Sequence, residues 1–309
     1  MSQYHLPVLQ PQCTQALSRP GNRVLVDGTL GGGSHTRALL SANPDALVVG
    51  FDRDTEAIAH AREALASFGE RFHAVQDNFA NMRTRLALLG IGRIDGLLLD
   101  LGVSSHQFDT PERGFSFRED GPLDMRMQPG LGRSAAHIVN DSSVEELERI
   151  LREYGEERAA WRIARAIEKA RPLHTTAALA AAVESVTKAQ HPLKSCARVF
   201  QALRIVVNGE LEALEIALRD GLRLLTAGGR MAVISYHSLE DRIVKQFFRY
   251  QASDCVCPPG LPECACGKHA TLELITRKPI VPSPEETQTN SRARSARLRI
   301  AAKLPGGGA

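Results

Sequence analysis

Asp27-Gly-Thr-Leu-Gly-Gly-Gly-Ser-His35 is the stretch of this chain best suited to hold a ligand, and it follows directly on the apolar run Val24-Leu25-Val26. Glycines allow positive φ and let backbone amides approach a ligand with no Cβ in the way. A second apolar run, Ala46-Leu-Val-Val-Gly-Phe51, ends in Asp52. An acid about 20 positions past a glycine turn accepts hydrogen bonds from a ribose in nucleotide-type folds. Turn and acid together point to an adenosine-containing ligand. The nicotinamide pattern G-x-G-x-x-G does not fit, because its third glycine falls on Thr36 when counted from Gly31, and its second on Leu30 when counted from Gly28. Asp27 would also set a carboxylate against a pyrophosphate. S-adenosylmethionine carries a sulfonium and an ammonium group and no phosphate, so it is the cofactor expected. The plain alternative is a glycine turn that only packs helix against strand.

Other residues could do chemistry. Asp77 and Asp100 also close apolar strand patterns, as Asp27 and Asp52 do, and a helix cap is the bland reading for Asp77. His237 and Asp241 stand four apart, on one face of a helix; a general base and a hydrogen-bonded structural pair are the two readings. Cys255-x-Cys257 and Cys264-x-Cys266 flank a proline-rich stretch, with His269 just beyond. Four thiols so close could take a tetrahedral metal, although C-x-C is tighter than the usual C-x₂-C, and a reduced surface loop stands beside that reading. Arg292, Arg294, Arg297 and Arg299 could bind an RNA backbone or guard an exposed sheet edge.

These residues need a scaffold, and the pattern supplies one. The chain has 309 residues, 43% hydrophobic and 24% charged, with a net charge of +3. That suits one large or two moderate domains, and the charge alone does not argue for a nucleic-acid partner. No apolar run spans a bilayer, Met1–His5 lacks a signal peptide, and six cysteines in so long a chain make no disulfide framework. A cytoplasmic protein with reduced thiols and no membrane contact is expected. Strands ending at Asp27, Asp52, Gln76 and Leu99 alternate with helices over Thr55–Phe68 and Met82–Leu89. The class is therefore α/β, doubly wound, with ligands beyond the carboxyl ends of the strands. From Ser104 to Asn140 periodicity stops, yet Phe108, Phe115, Phe117, Leu123, Met125 and Met127 need somewhere to pack. Helices return over 144–154, 157–170, 176–188 and 194–225, the last broken near Asn208-Gly209, and the sheet resumes at Gly229. A helical domain over 106–197, with nearly balanced charge, thus interrupts a nucleotide-type domain made of 1–105 and 198–309. Pro305–Ala309 should be mobile.

Several ordered motifs carry a resemblance. Asp27–His35 is followed by Leu99-Asp-Leu-Gly-Val-Ser-Ser105, Arg113-Gly-Phe-Ser-Phe117 and Gly121-Pro-Leu-Asp-Met-Arg-Met127. Tyr154-Gly-Glu-Glu-Arg158, Phe200-Gln-Ala-Leu-Arg-Ile205, His237-Ser-Leu-Glu-Asp-Arg242 and Asn290-Ser-Arg-Ala-Arg-Ser295 complete the set. The chain resembles, from His5 to about Lys303, the bacterial 16S ribosomal RNA (cytosine-N4)-methyltransferases of the MraW or RsmH type. The resemblance implies a class I (Rossmann-like) S-adenosylmethionine-dependent methyltransferase sheet with an inserted helical domain. It implies N4-methylation of a decoding-centre (P-site) cytidine in 16S rRNA, with the 30S subunit as partner. Cofactor contacts carry over to Gly33, Ser34, His35, Asp52, Phe79, Asp100 and Gln107. Ser34 stands where a second glycine is expected, and its amide can still donate.

Cytosine N4 is a poor nucleophile, so catalysis needs acceptors that orient the amine, localise its lone pair and take the proton it loses. Asp100, Ser104, Asp124 and the Gly102 carbonyl are the candidates. Asp100-Leu-Gly-Val103 keeps the acid of the Asp/Asn/Ser-Pro-Pro-aromatic pattern of amine methyltransferases but not its prolines or aromatic. Asp100 therefore holds the cofactor, the amine, or a shared edge of both. A flipped base stacks on an aromatic or apolar face, for which Phe115, Phe117 and Tyr236 are candidates, with core packing as the alternative. Phe79 would flank the adenine. A non-catalytic rRNA-binding assembly factor and a nicotinamide-dependent oxidoreductase are the rival functions.

Overall fold

The computed structural model describes residues 7–187, 192–258 and 266–306. The leader Met1–His5, Cys264 and the last three residues of the tail, on which expectations fell, lie outside them. The chain divides into two compact units, Met1–Gly102 with Glu212–Ala309, and Val103–Leu211.

In chain order the first unit opens with α1 (Gln10–Leu17), β1 (Val24–Asp27), α2 (Ser34–Ala42), β2 (Leu47–Asp52), α3 (Thr55–Ala64), β3 (Phe72–Gln76), α4 (Met82–Leu88) and β4 (Ile94–Asp100). The helical unit holds α5 (Ser105–Asp109), α6 (Ala135–Asp141), α7 (Val144–Glu153), α8 (Ala160–Ala170), α9 (Thr176–Glu184) and α10 (Pro192–Asn208). After α11 (Glu210–Leu224) come β5 (Leu225–Ser235), α12 (Ser238–Gln251), β6 (Leu272–Leu274), α13 (Pro284–Thr289) and β7 (Arg297–Lys303).

The seven strands form one sheet in the order β3-β2-β1-β4-β5-β7-β6. The first five are parallel, and β7 runs antiparallel to both of its neighbours, β5 and β6. Parallel strands are covered on both faces, and β4 shows why its sequence is so apolar. Leu97 and Leu99 point to one face, among Met82 and Leu86 of α4, Leu214 and Leu218 of α11 and Val244 and Phe248 of α12. Leu98 points to the other, among Cys13 and Leu17 of α1 and Leu39 and Leu40 of α2. All three leucines are fully buried, so truncating any of them to Ala should cost about 2–5 kcal/mol. The register sets Asp27 beside Gly50 and Asp100 beside Ile234, which brings the strand-end acids to the carboxyl edge.

β7 is an interior strand between β5 and β6, not an edge. Leu298 and Ile300 fill the core, as the alternation requires. On the opposite face Arg299 is buried and makes two bonds to Asp241, Nε to Oδ1 at 2.7 Å and Nη2 to Oδ2 at 3.1 Å. Arg297 joins at 3.2 Å. Arg297 and Arg299 are thus engaged with Asp241 of α12 on an interior strand, which corrects the reading of the four arginines as guards of an exposed sheet edge and leaves two of them bound within the fold rather than free for an RNA backbone.

The helical unit has its own core. Phe115, Leu123 and Met125 pack with Leu147, Ile150 and Leu151 of α7, Ile163 and Ile167 of α8 and Val199, Phe200 and Leu203 of α10. Because α10 fills this core, the unit runs to Leu211 and past the boundary expected at 197. Phe117 stands edge-on to Phe200 with ring centroids 5.1 Å apart, so Phe115 and Phe117 are packing residues. The aperiodic stretch is ordered by a clasp: Asn208 donates from Nδ2 to the Met125 carbonyl at 2.8 Å and accepts the Met127 amide at 2.8 Å.

Candidate active site

The glycine turn is built around buried Asp27. Its Oδ1 accepts the Thr29 amide at 3.1 Å and its Oδ2 the Thr36 hydroxyl at 2.7 Å. Asp27 has no exposed surface, so it shapes the turn, whereas the sequence reading sets it against the ligand. Burial raises its carboxyl pKa, against the pull of His35 and Thr36. Gly28 is required by packing, since a Cβ there would lie 2.5 Å from Leu99 Cδ2 and 3.2 Å from the Phe79 Cβ. Gly33 has φ 79° and opens α2 with no side-chain cap. The first amides of that helix, including those of Ser34 and His35, are donors of the kind that bind an anionic group.

Asp52 sits across the turn. Its Oδ2 accepts the Gly31 amide at 2.9 Å and its Oδ1 the Asp54 amide at 2.9 Å. Desolvation outweighs both bonds and pushes this carboxyl up to about 6. Phe79 follows β3 on a short turn and packs at half-burial against the sheet core. Asp77 is an ion-pair residue and not the helix cap of its bland reading, since Asn78 and Asn81 hold the cap positions: it accepts from the Asn78 amide at 2.7 Å, Asn81 at 2.8 Å and Arg85 at 2.5 Å.

Asp100 gathers a second group. Its amide donates to Thr29 Oγ1 at 2.7 Å, which ties β4 to the glycine turn. Its Oδ1 accepts the Tyr236 hydroxyl at 2.8 Å, and its Oδ2 lies 3.4 Å from His35 Nε2. The His35 nitrogen is buried and makes no hydrogen bond of good geometry among the described residues. Burial disfavours its protonation, but Asp100 and Asp27 prevail and its pKa is raised. Burial and the neighbouring Asp100 push the Tyr236 phenol well up, so it stays a donor. The Asp100 side chain keeps 22% of its surface open, so it can reach a ligand. Gly33, Ser34, His35, Asp52, Phe79 and Asp100 therefore share one region of the sheet unit.

The model of the MraW methylase family matches residues 2–304. The chain belongs to this family. A protein named ribosomal RNA small subunit methyltransferase H from Syntrophotalea carbinolica is 53% identical over 307 residues, covering 97% of this chain and 98% of the relative. One of the same name from Trichlorobacter lovleyi is 51% identical over 309 residues, covering 97% and 98%. The seven-stranded α/β sheet and the helical unit between its halves are thus those of an MraW-family chain.

The remaining expected site residues lie in its helical unit. Ser104 caps α5, accepting the Gln107 amide at 3.2 Å, and Gln107 Oε1 accepts the Ser104 amide at 3.2 Å. Gln107 is buried. Asp124 holds Arg126 through Nε at 2.9 Å and Nη2 at 2.6 Å and accepts its amide at 3.0 Å. Burial raises the Asp124 carboxyl, but Arg126 outweighs it and holds it below the usual range. Such a group stays ionised and can orient a donor, but it is a weak base.

His237 and Asp241 do not pair. His237 caps α12, with Nδ1 accepting the Glu240 amide at 3.5 Å, while Glu240 Oε2 accepts the Tyr236 amide at 2.8 Å. Asp241 instead serves Arg297 and Arg299. Sequence reasoning missed Thr29, Thr36 and the hydroxyl of Tyr236 as partners of the acids. The signal for Tyr236 was its position just past β5, next to β4 in the sheet. The Asp27 partners lie inside the glycine motif, where attention went to the glycines.

Proposed function

We propose that this chain methylates N4 of a decoding-centre (P-site) cytidine in 16S rRNA, using S-adenosylmethionine, with the 30S subunit as substrate and the cytoplasm as the place of action. Gly33, Ser34 and His35 present amides to the carboxylate of the cofactor, Asp52 accepts from its ribose and Phe79 flanks its adenine. The residues fit that group on two counts: a buried His35 nitrogen with no hydrogen bond of good geometry among the described residues, and the carboxylates of Asp52 and Asp100 at the same strand edge, which suit a cationic ligand. When bound, S-adenosylmethionine supplies an electrophilic methyl group on sulfur.

Asp100 does the rest on the amine. Tyr236 and the Thr29 hydroxyl fix its position, leaving Oδ2 to accept an N4 hydrogen, draw the lone pair out of the ring and take the proton released. Asp124 and Ser104 orient and shape rather than abstract. The single observation that carries the chemistry is the joining of Asp100 to His35, Tyr236 and the glycine turn at one strand edge. The rRNA substrate comes from the relatives' names over nearly full length. No observation favours a nicotinamide cofactor or a non-catalytic role. No described helix is long and apolar enough to cross a membrane.

Radiolabelled methyl transfer to isolated 30S subunits and to naked 16S rRNA, followed by nucleoside analysis, tests the reading. N4-methylcytidine is expected. Label on carbon 5 or on ribose, or no label on either substrate, would overturn it.

A further inference from the structure

The link from α12 to β6 is braced before any ligand is considered. Thr271 donates its amide to the Gln251 carbonyl at 2.8 Å and its hydroxyl to Gln251 Oε1 at 2.8 Å. The Ala270 amide reaches Asp254 at 3.0 Å, and Lys268 bonds the Ser253 carbonyl while its Nζ lies 4.9 Å from the Tyr250 ring centroid. The two limbs of the link are thereby held side by side, and each carries thiols.

Cys255, Cys257 and Cys266 converge there, with their sulfurs all within 4.8 Å of one another. The Cys255 and Cys266 sulfurs are 3.8 Å apart. A disulfide would need about 2.05 Å. Two thiolates on the edge of a zinc tetrahedron, each about 2.3 Å from the metal, lie about 3.8 Å apart. Backbone amides also point at the sulfurs: Val256 donates to Cys266 Sγ at 3.5 Å and Cys257 to Cys255 Sγ at 3.3 Å. Amide hydrogen bonds favour the thiolate, the form that binds a metal. The usual spacing objection to C-x-C therefore loses force, because the third thiol comes from the opposite limb, and three thiolates leave one position of the tetrahedron to a water or a further donor.

We propose that Cys255, Cys257 and Cys266 bind one divalent zinc ion in a structural site that clamps the link between α12 and β6. Each thiol gives up one proton on binding, and no electron is transferred. A soft, thiolate-only set selects zinc over magnesium or calcium. The clamp is independent of the methyl-transfer site, so its failure would leave the proposed function standing.

The test uses untagged full-length protein, purified without chelator and under reducing conditions. Elemental analysis should find about one zinc per chain, and cobalt substitution should give an intense thiolate-to-metal band in the near ultraviolet. Cys255→Ser combined with Cys257→Ser should abolish both signals, with the fold intact by circular dichroism, while Cys196→Ala should keep both. A protein that stays metal-free after incubation with micromolar zinc would overturn the site, as would a disulfide between Cys255 and Cys266 in the reduced preparation, or zinc retained by the double variant.

Discussion

The carboxyl edge of the sheet and the Asp120–Asp124 stretch of the helical unit treat their ionisable groups in opposite ways. At the strand edge Asp27, Asp52 and Tyr236 are all pushed up by burial, and His35 is held protonatable by its acidic neighbours. These groups sit where charge is penalised, and their partners are neutral amides and hydroxyls or Asp100. In the helical unit Asp120 is lowered by the Ala177 amide and Asp124 by Arg126, so each carboxylate is satisfied locally. Perturbation of the first kind marks a reactive site, whereas pairing of the second kind stiffens a support. The proposed chemistry lies in the sheet unit. The helical unit supplies an ordered surface.

The largest expected effect checks whether the basic residues of β7 belong to the fold. Arg299→Ala leaves Asp241 buried without its main partner and should cost about 3–5 kcal/mol in urea unfolding. Loss of RNA binding at unchanged stability would restore the basic stripe and blur the contrast. Asn208→Ala should cost about 1–3 kcal/mol through the unpaired Met125 and Met127 backbone groups. S-adenosylhomocysteine affinity should stay put, and a matching loss of affinity would show that the two units are not separable in this way.

A pH titration sharpens the contrast from the other side. Burial pushes the Asp52 carboxyl up to about 6, and its carboxylate is a stronger acceptor for a ribose hydroxyl than the protonated acid. Affinity for S-adenosylhomocysteine should therefore fall as pH drops below that value, by at most about tenfold per unit. Asp52→Asn should bind more weakly and lose most of that slope. Ser104→Ala should cost about 1 kcal/mol as a lost helix cap. A fall in turnover well beyond that loss would place its hydroxyl in the chemistry.

Much of the sheet unit was legible in sequence because its signals are local. The glycine turn, Asp52 and Asp100 each close an apolar strand, and the break at Asn208-Gly209 was visible as a dipeptide. What escaped depends on long-range pairing. The Asn208 clasp joins residues 81 and 83 positions apart, and no local pattern announces it. The basic residues of β7 read as surface because alternation shows two faces but not which neighbours cover them. Asp124 read as an acceptor because the arginine two positions on was counted as a separate charge.

The measurement that bears most directly on the account is methyl transfer to 30S subunits by Asp100→Asn at saturating S-adenosylmethionine, with S-adenosylhomocysteine affinity measured alongside. Turnover should fall about a hundredfold or more, beyond any change in affinity. Wild-type turnover and wild-type affinity together would contradict the central place given to this carboxylate.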